Sequence, residues 1–234
     1  MNLVITVSFK CATSNFHFFF ISISTSIVGY MMLFLRGFLY LLLVSVVAQL
    51  ISLEGYEMLS AAEYSEHSVT EHLQDVMSFL SFVLFLYVSR HSEPMKIATT
   101  LLAALMAMMF VRESDSLLDH YVFDGAWQTV VLFILGCVVV FLWGQFKAIY
   151  PSMKEYAKHA SFGTFLAGFV TILGFSRLMG RGSFWEAVMG DAYMRVVKNI
   201  VEEGIETLGY TLIFISAMEL ALACRRQQRK ALAH

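Results

Sequence analysis

Charge is what this chain has least of. Of its 234 residues only 15% are Asp, Glu, Lys or Arg, against about 25% in a soluble domain. Hydrophobic residues make up 58%, and mean hydropathy is +0.68. The length and this composition suit one membrane domain with no separate soluble domain. Formal net charge is −2, so there is no basic surface for nucleic acid. Cysteine is scarce and scattered at Cys11, Cys137 and Cys224. An odd set without a CxxC pair excludes a disulfide framework and a thiolate metal site, and leaves the thiols as small apolar filler. Proline occurs twice, and Pro94 suits the first turn of a helix. There is no HExxH, no His-x3-His and no Glu-x-x-His, the last being the di-iron bundle pattern. No internal repeat is evident, which weakens an inverted-repeat transporter.

What the chain does have is apolar runs. Six are legible: Leu33 to Leu53, Leu73 to Tyr87, Met95 to Val111, Trp127 to Trp143, Ser161 to Phe175, and Leu208 to Cys224. Several are shorter than the 20 or so residues that a bilayer core asks of a helix. Polar residues just outside such a run can complete it if they face protein. The expected fold is therefore all-α, a polytopic integral membrane helical bundle of about six transmembrane helices spanning residues 31–226. A basic tail, 227–234, follows. Residues 1–30 are rich in Phe, Ser and Ile, and Ile21 to Ile27 alternates as a strand would. They read as an N-terminal extension foreign to the membrane domain, disordered or added by an upstream start, with translation beginning at Met31 or Met32. From there Arg36 and the first run resemble a signal-anchor that stays attached. A seventh span remains compatible with the rest.

The connections alternate in sign. Arg90 with Lys96, Lys147 with Lys154 and Lys158, and the tail from Arg225 to Lys230 are basic. The other connections are acidic. Positive loops stay in the cytoplasm, so both termini are expected there, in a bacterial inner membrane. This orientation puts 11 of the 16 basic residues inside and 15 of the 18 carboxylates outside. Trp127, Trp143 and Trp185 fall at run ends, as an aromatic belt requires. Ala103 with Ala107, and Gly163 with Ala167, form small-xxx-small pairs that let helices approach closely. Val196, Val197, Ile200, Val201 and Ile205 recur at helical spacing. They predict an amphipathic helix that either lies in the interface or runs on into the last span and turns its Glu stripe inward. Gly204 and Gly209 are points where it would bend.

Three acidic or His-bearing segments then share the outer face. They are Glu63 to Asp75, Glu113 to His120, and Glu202 to Glu206. Carboxylates and imidazoles from three helices are what a Zn, Mn or Fe site requires. The candidate ligands for such a divalent metal are Glu71, His72, Glu113, His120, Glu203 and Glu206, with His67 nearby. The alternative is a solvated acidic rim. His120 and at least one of Glu71 and His72 are expected to point into the bundle. Arg112, at the edge of an apolar run, needs a partner. Asp115 and Asp119 on its own helix are the nearest, and Glu203 or Glu206 would tie two helices together. Thr207 and Tyr210 bring a hydroxyl and a phenol beside Glu206. Glu219 stands alone in the last run and is expected to snorkel toward Arg225 or Arg226.

The simplest function is non-catalytic: a membrane scaffold, sensor or accessory subunit, with membrane lipid as its sure partner and no protein partner assignable. A membrane-embedded metal-dependent hydrolase or oxidase acting on a lipid-like substrate is the second reading, its metal activating water. A proton- or cation-coupled transporter is the third.

Overall fold

A computed structural model describes residues 31–57 and 69–232. The expectations for residues 1–30, for Glu63, Glu66 and His67, and for the last two residues of the tail lie outside these. The structure is 92% helical, and no strand occurs among the described residues. The elements are α1 (Met31–Glu57), α2 (Val69–His91), α3 (Lys96–Glu113), α4 (Asp115–Tyr121), α5 (Ala126–Leu142) and α6 (Phe146–Ala157). After them come α7 (Ala160–Val170), α8 (Arg177–Met179), α9 (Gly182–Met189) and α10 (Arg195–Leu232). Five of these helical stretches are long and apolar enough to cross a membrane, and α5 with α6 makes a sixth if the pair counts as one span bent by 101°. The chain is thus an integral membrane protein by composition and helix length. It divides into two compact units, Met1–Ser45 and Val46–His234. The first is described only from residue 31, the first half of α1. All that follows concerns the second.

Its centre is made by α2, α3, α7 and α10. The inner stripe of α2 runs Gln74, Met77, Ser78, Ser81, Phe85 and Val88, all buried. Small hydroxyl residues in such a stripe let backbones close up. Their own polarity is satisfied within the helix: Ser81 donates to the Met77 carbonyl, Thr99 to Met95, Thr207 to Glu203 and Thr211 to Thr207. An interior without water demands this. Phe85, Met106, Ile213 and Leu220 fill the middle with no exposed surface.

Helix α10 has 38 residues, about 57 Å at 1.5 Å per residue. It is continuous through Gly204 and Gly209, so the amphipathic stretch is the start of the last span and not a separate interfacial helix. Its first turns lie on the end of α1, where Ile200 meets Gly55 and Gly204 meets Ile51. Glu54 of α1 adds a second tie. Its carboxylate is buried and accepts from the backbone N–H of Val69 at 2.6 Å and of Thr70 at 2.9 Å. Those are two of the four donors that a helix start leaves unsatisfied, and the anion sits at the positive end of the α2 dipole.

Close approach of α7 and α10 uses different residues from those the motif pointed to. Gly163 has nothing within 4 Å of where a Cβ would stand, and Ala167 is exposed. The crossing is at Gly168 and Gly209, where each Cβ position is taken by the other helix. Of the α3 pair, Ala103 is buried and Ala107 half-buried. Beyond Val170 the helix widens into a π-type turn, Thr171–Ser176. Phe165, Gly168, Ile172 and Ser176 all stay buried. They stand at i, i+3, i+7 and i+11, one helical face, and the widened turn does not take Ser176 off it.

A carboxylate centre at one end of the bundle

The start of α2, the end of α3, the junction of α7 with α8, and residues 202–210 of α10 meet at one end. The α10 stripe of Glu203, Glu206, Thr207 and Tyr210 is at i, i+3, i+4 and i+7, one face of a helix, and it faces inward. Glu206 is 4% exposed. Its Oε1 accepts from the Ser176 hydroxyl at 2.6 Å and from the Arg177 guanidinium at 2.9 Å. Arg177 also reaches Glu202 at 3.8 Å, and Lys198 pairs with Glu202 one turn back. The Glu202 carboxylate lies against Gly180, filling the space a side chain would take.

Glu203 is reached from α2. The Gln74 amide donates to its Oε2 at 2.9 Å, and the same nitrogen is 3.0 Å from the Thr207 hydroxyl. Gln74 has no exposed surface, and its Oε1 is buried with no donor among the described residues. Glu113 is reached from α10. The Tyr210 hydroxyl donates to its Oε1 at 2.8 Å, and Arg112 holds the same oxygen at 2.8 Å. Ser114 closes the ring by donating to Asp75 of α2 at 3.2 Å. Glu113, Glu203 and Glu206 each lie within Coulomb range of another of the three, and Glu71 within range of Glu203.

Of the six candidate metal ligands, the structure therefore brings together Glu113, Glu203 and Glu206, with half-buried Glu71 close by. It leaves out both imidazoles. His72 is exposed on α2. His120 is exposed on α4 with its ring edge on Tyr121, so it does not point into the bundle. The reason is local. Helix α3 stops at Glu113, and α4 is a separate short helix after the break at Ser114, so His120 does not continue the inward face of Glu113. Among the described residues, no three His, Cys, Asp or Glu side chains gather in the way a metal ion needs.

The partner of Arg112 also differs from expectation. It is Glu113, its chain neighbour. Asp115 is exposed, and Asp119 accepts from the Gly125 N–H at 3.0 Å, closing the turn into α5 where Gly125 adopts a positive φ of 82°. The tie from Arg112 to α10 exists, but it runs through Glu113 and the Tyr210 phenol. Glu219 is half-buried within α10. Trp185, in the short helix α9, donates its indole N–H to the Met179 carbonyl.

Ser176, Arg177 and Gln74 were not singled out from the sequence. Gln74 carried a faint signal, as an uncharged amide at the start of an apolar run. Ser176 shared the helical stripe of Phe165, Gly168 and Ile172, but a lone serine followed by an arginine at the end of an apolar run reads as an ordinary polar end, so neither residue stood out. Comparison with protein-family models, with curated proteins and with solved structures finds no match to this chain.

Proposed function

We propose that this chain is a non-catalytic multi-pass protein of a bacterial inner membrane. It would be a scaffold, sensor or accessory subunit, with the carboxylate centre tying its last helix to the bundle on the outer face. One observation carries this. Each of the three gathered carboxylates is bonded by a side chain from another helix: Glu206 by Ser176 and Arg177, Glu203 by Gln74, and Glu113 by Tyr210. Groups so engaged hold helices in register, and a fully bonded polar network rigidifies a core. The exposed histidines are not part of it.

A second reading has its own support. Glu113, Glu203 and Glu206, with Glu71 and Asp75 beside them, outnumber the guanidinium groups of Arg112 and Arg177, and the Gln74 Oε1 acceptor has no donor among the described residues. A bound proton or small cation would offset part of that excess and give Oε1 a partner. That reading makes the protein a sensor of the outer solution and keeps the same centre.

Melting of the purified protein in mild detergent, with elemental analysis, tests both. Glu203→Gln and Glu206→Gln should each lower stability by about 1.5 to 3 kcal/mol, the range for a hydrogen bond to a charged group. His72→Ala and His120→Ala should stay within about 0.5 kcal/mol of the parent, as exposed changes do. A sodium- or proton-dependent gain in stability that Glu203→Gln abolishes would favour the sensor over the plain tie. One equivalent of Zn, Mn or Fe, lost on changing His120 or Glu203, would replace both readings with the metal-dependent enzyme.

A further inference from the structure

The opposite end of the bundle holds a groove that the carboxylate centre does not involve. It lies between the second half of α2 and the last third of α10, and is lined by Leu84, Tyr87, Met218, Ala221, Leu222 and Arg225, with a volume of about 420 Å³. That is within the range of about 300 to 1,000 Å³ usual for small-molecule sites. Four of its six lining side chains are aliphatic or thioether, and both flanking helices are membrane-crossing in length and composition. Whatever fills it must be apolar over most of its length.

The groove changes character along α10. Met218, Leu222, Arg225 and Arg229 recur at i, i+4, i+7 and i+11, a single stripe of the helix. The apolar part of that stripe lines the groove, and the basic part begins at its end. Arg225 and Arg229 are exposed, as are Arg226, Lys230 and Arg90 at the end of α2. Behind them the helices are closed off by polar contacts. Tyr87 donates to Gln228 at 3.4 Å, and Gln228 donates to the His91 carbonyl at 3.4 Å. The acidic groups at this end are few. Glu93 is paired with Lys96, and Glu219 is half-buried and already engaged.

We propose that this groove binds one acyl chain of an anionic phospholipid, with its phosphate held by Arg225 and Arg229. The apolar stripe takes the chain, the Tyr87 phenol marks the depth of the ester region, and the guanidinium groups offer the forked donors that suit phosphate. A juxtamembrane basic cluster beside a span is the usual charge signature for anionic lipid. A zwitterionic lipid offers the same chain but a neutralised headgroup, so the proposal requires discrimination between the two.

The test uses the full chain, delipidated in mild detergent and titrated with dioleoyl phosphatidylglycerol or dioleoyl phosphatidylcholine. Bound lipid is read by native mass spectrometry and by melting temperature. The parent should prefer phosphatidylglycerol about tenfold. Arg225→Gln with Arg229→Gln, both exposed and harmless to the fold, should remove most of that preference. Lys154→Gln, exposed on α6, should leave it intact. Dihexanoyl phosphatidylglycerol, whose chains are too short to fill the groove, should bind at least tenfold more weakly than the dioleoyl lipid. Equal binding of the two dioleoyl lipids by the parent overturns the proposal. So does a loss of preference in Lys154→Gln as large as in the double variant, which would reduce the effect to general surface charge. Equal binding of short and long chains removes the groove from the account.

Discussion

Gly168 and Gly163 lie in one helix, five residues apart, and a single methyl group should act on them in opposite directions. At Gly168 a Cβ would stand 2.7 Å from the Gly209 carbonyl oxygen, 2.9 Å from Ile213 Cγ1 and 3.0 Å from Leu212 Cβ. Carbon atoms in good contact are about 3.5 to 4.0 Å apart. The obstruction includes α10 backbone, so no rotamer change relieves it and α7 must back away. Parting by 0.5 to 1 Å forfeits roughly a quarter to a half of each contact well across the crossing, and overpacking of this kind costs about 1 to 3 kcal/mol. Ala improves helix propensity over Gly by about 0.8 to 1.0 kcal/mol, which offsets only part of it. Gly168→Ala should therefore lose up to about 2 kcal/mol net. At Gly163 nothing lies within 4 Å, so only the propensity gain remains and Gly163→Ala should match or exceed the parent. Reversible unfolding in mixed detergent micelles reads the difference between the two variants directly. Equal stability of Gly168→Ala and Gly163→Ala would refute the close α7–α10 crossing at Gly168 and Gly209.

Two further changes probe the ties at the carboxylate end. Glu54→Gln keeps the shape of the cap on α2 but removes its charge, and should cost about 1 to 2 kcal/mol. Hydrogen exchange should quicken at the amides of Val69 and Thr70 while the middle of α2 stays protected, and unchanged exchange there would refute the cap. Tyr210→Phe removes the donor to Glu113 and should cost about 1.5 kcal/mol or more, since that bond is to a charged acceptor. In a double-mutant cycle with Glu113→Gln the two changes should couple by at least 0.5 kcal/mol, and simple additivity would break the proposed link.

Particular residues show how far the sequence reached. The six apolar runs all reappear in helices, because hydropathy over a run this long outweighs any local preference. The helical spacing of Val196 to Ile205 predicted an amphipathic helix without deciding whether it ran on into the last span, and Glu206 with Tyr210 beside it pointed to the centre. Arg112 needing a partner was also legible. Its choice of partner was not, since a helix break at Ser114 took Asp115 and Asp119 away from its face. The same break sent His120 outward. Helix continuity across a polar stretch is decided by packing, and a periodicity count assumes it. Gly168 went unremarked beside Gly163 because Gly163 has Ala167 four residues on and Gly168 has Ile172 there. The backbone opposite, at Gly209, is what makes Gly168 the crossing point.

Where the centre sits along α10 decides between a tie and a relay. From Glu206 to Ser216 the helix rises about 15 Å. At Ser216 a second polar layer begins, with Ser216 donating to the Ser161 carbonyl and Tyr156 beside it. Between the two layers lie Phe85, Met106, Phe165 and Ile213, none more than 7% exposed. Thr211 and Ser81 are in this stretch, but their hydroxyls are turned onto carbonyls four residues back in their own helices. A proton or cation accepted at Glu203 would therefore face an apolar layer as thick as half a bilayer core, within which no described residue offers a free buried polar group. Transport would need that layer to open, which means separating α2, α3, α7 and α10 where Gly168 and Gly209 hold two of them closest. Binding at the centre without passage is the response the packing favours, and such an event would change how firmly α10 is held to the rest of the bundle.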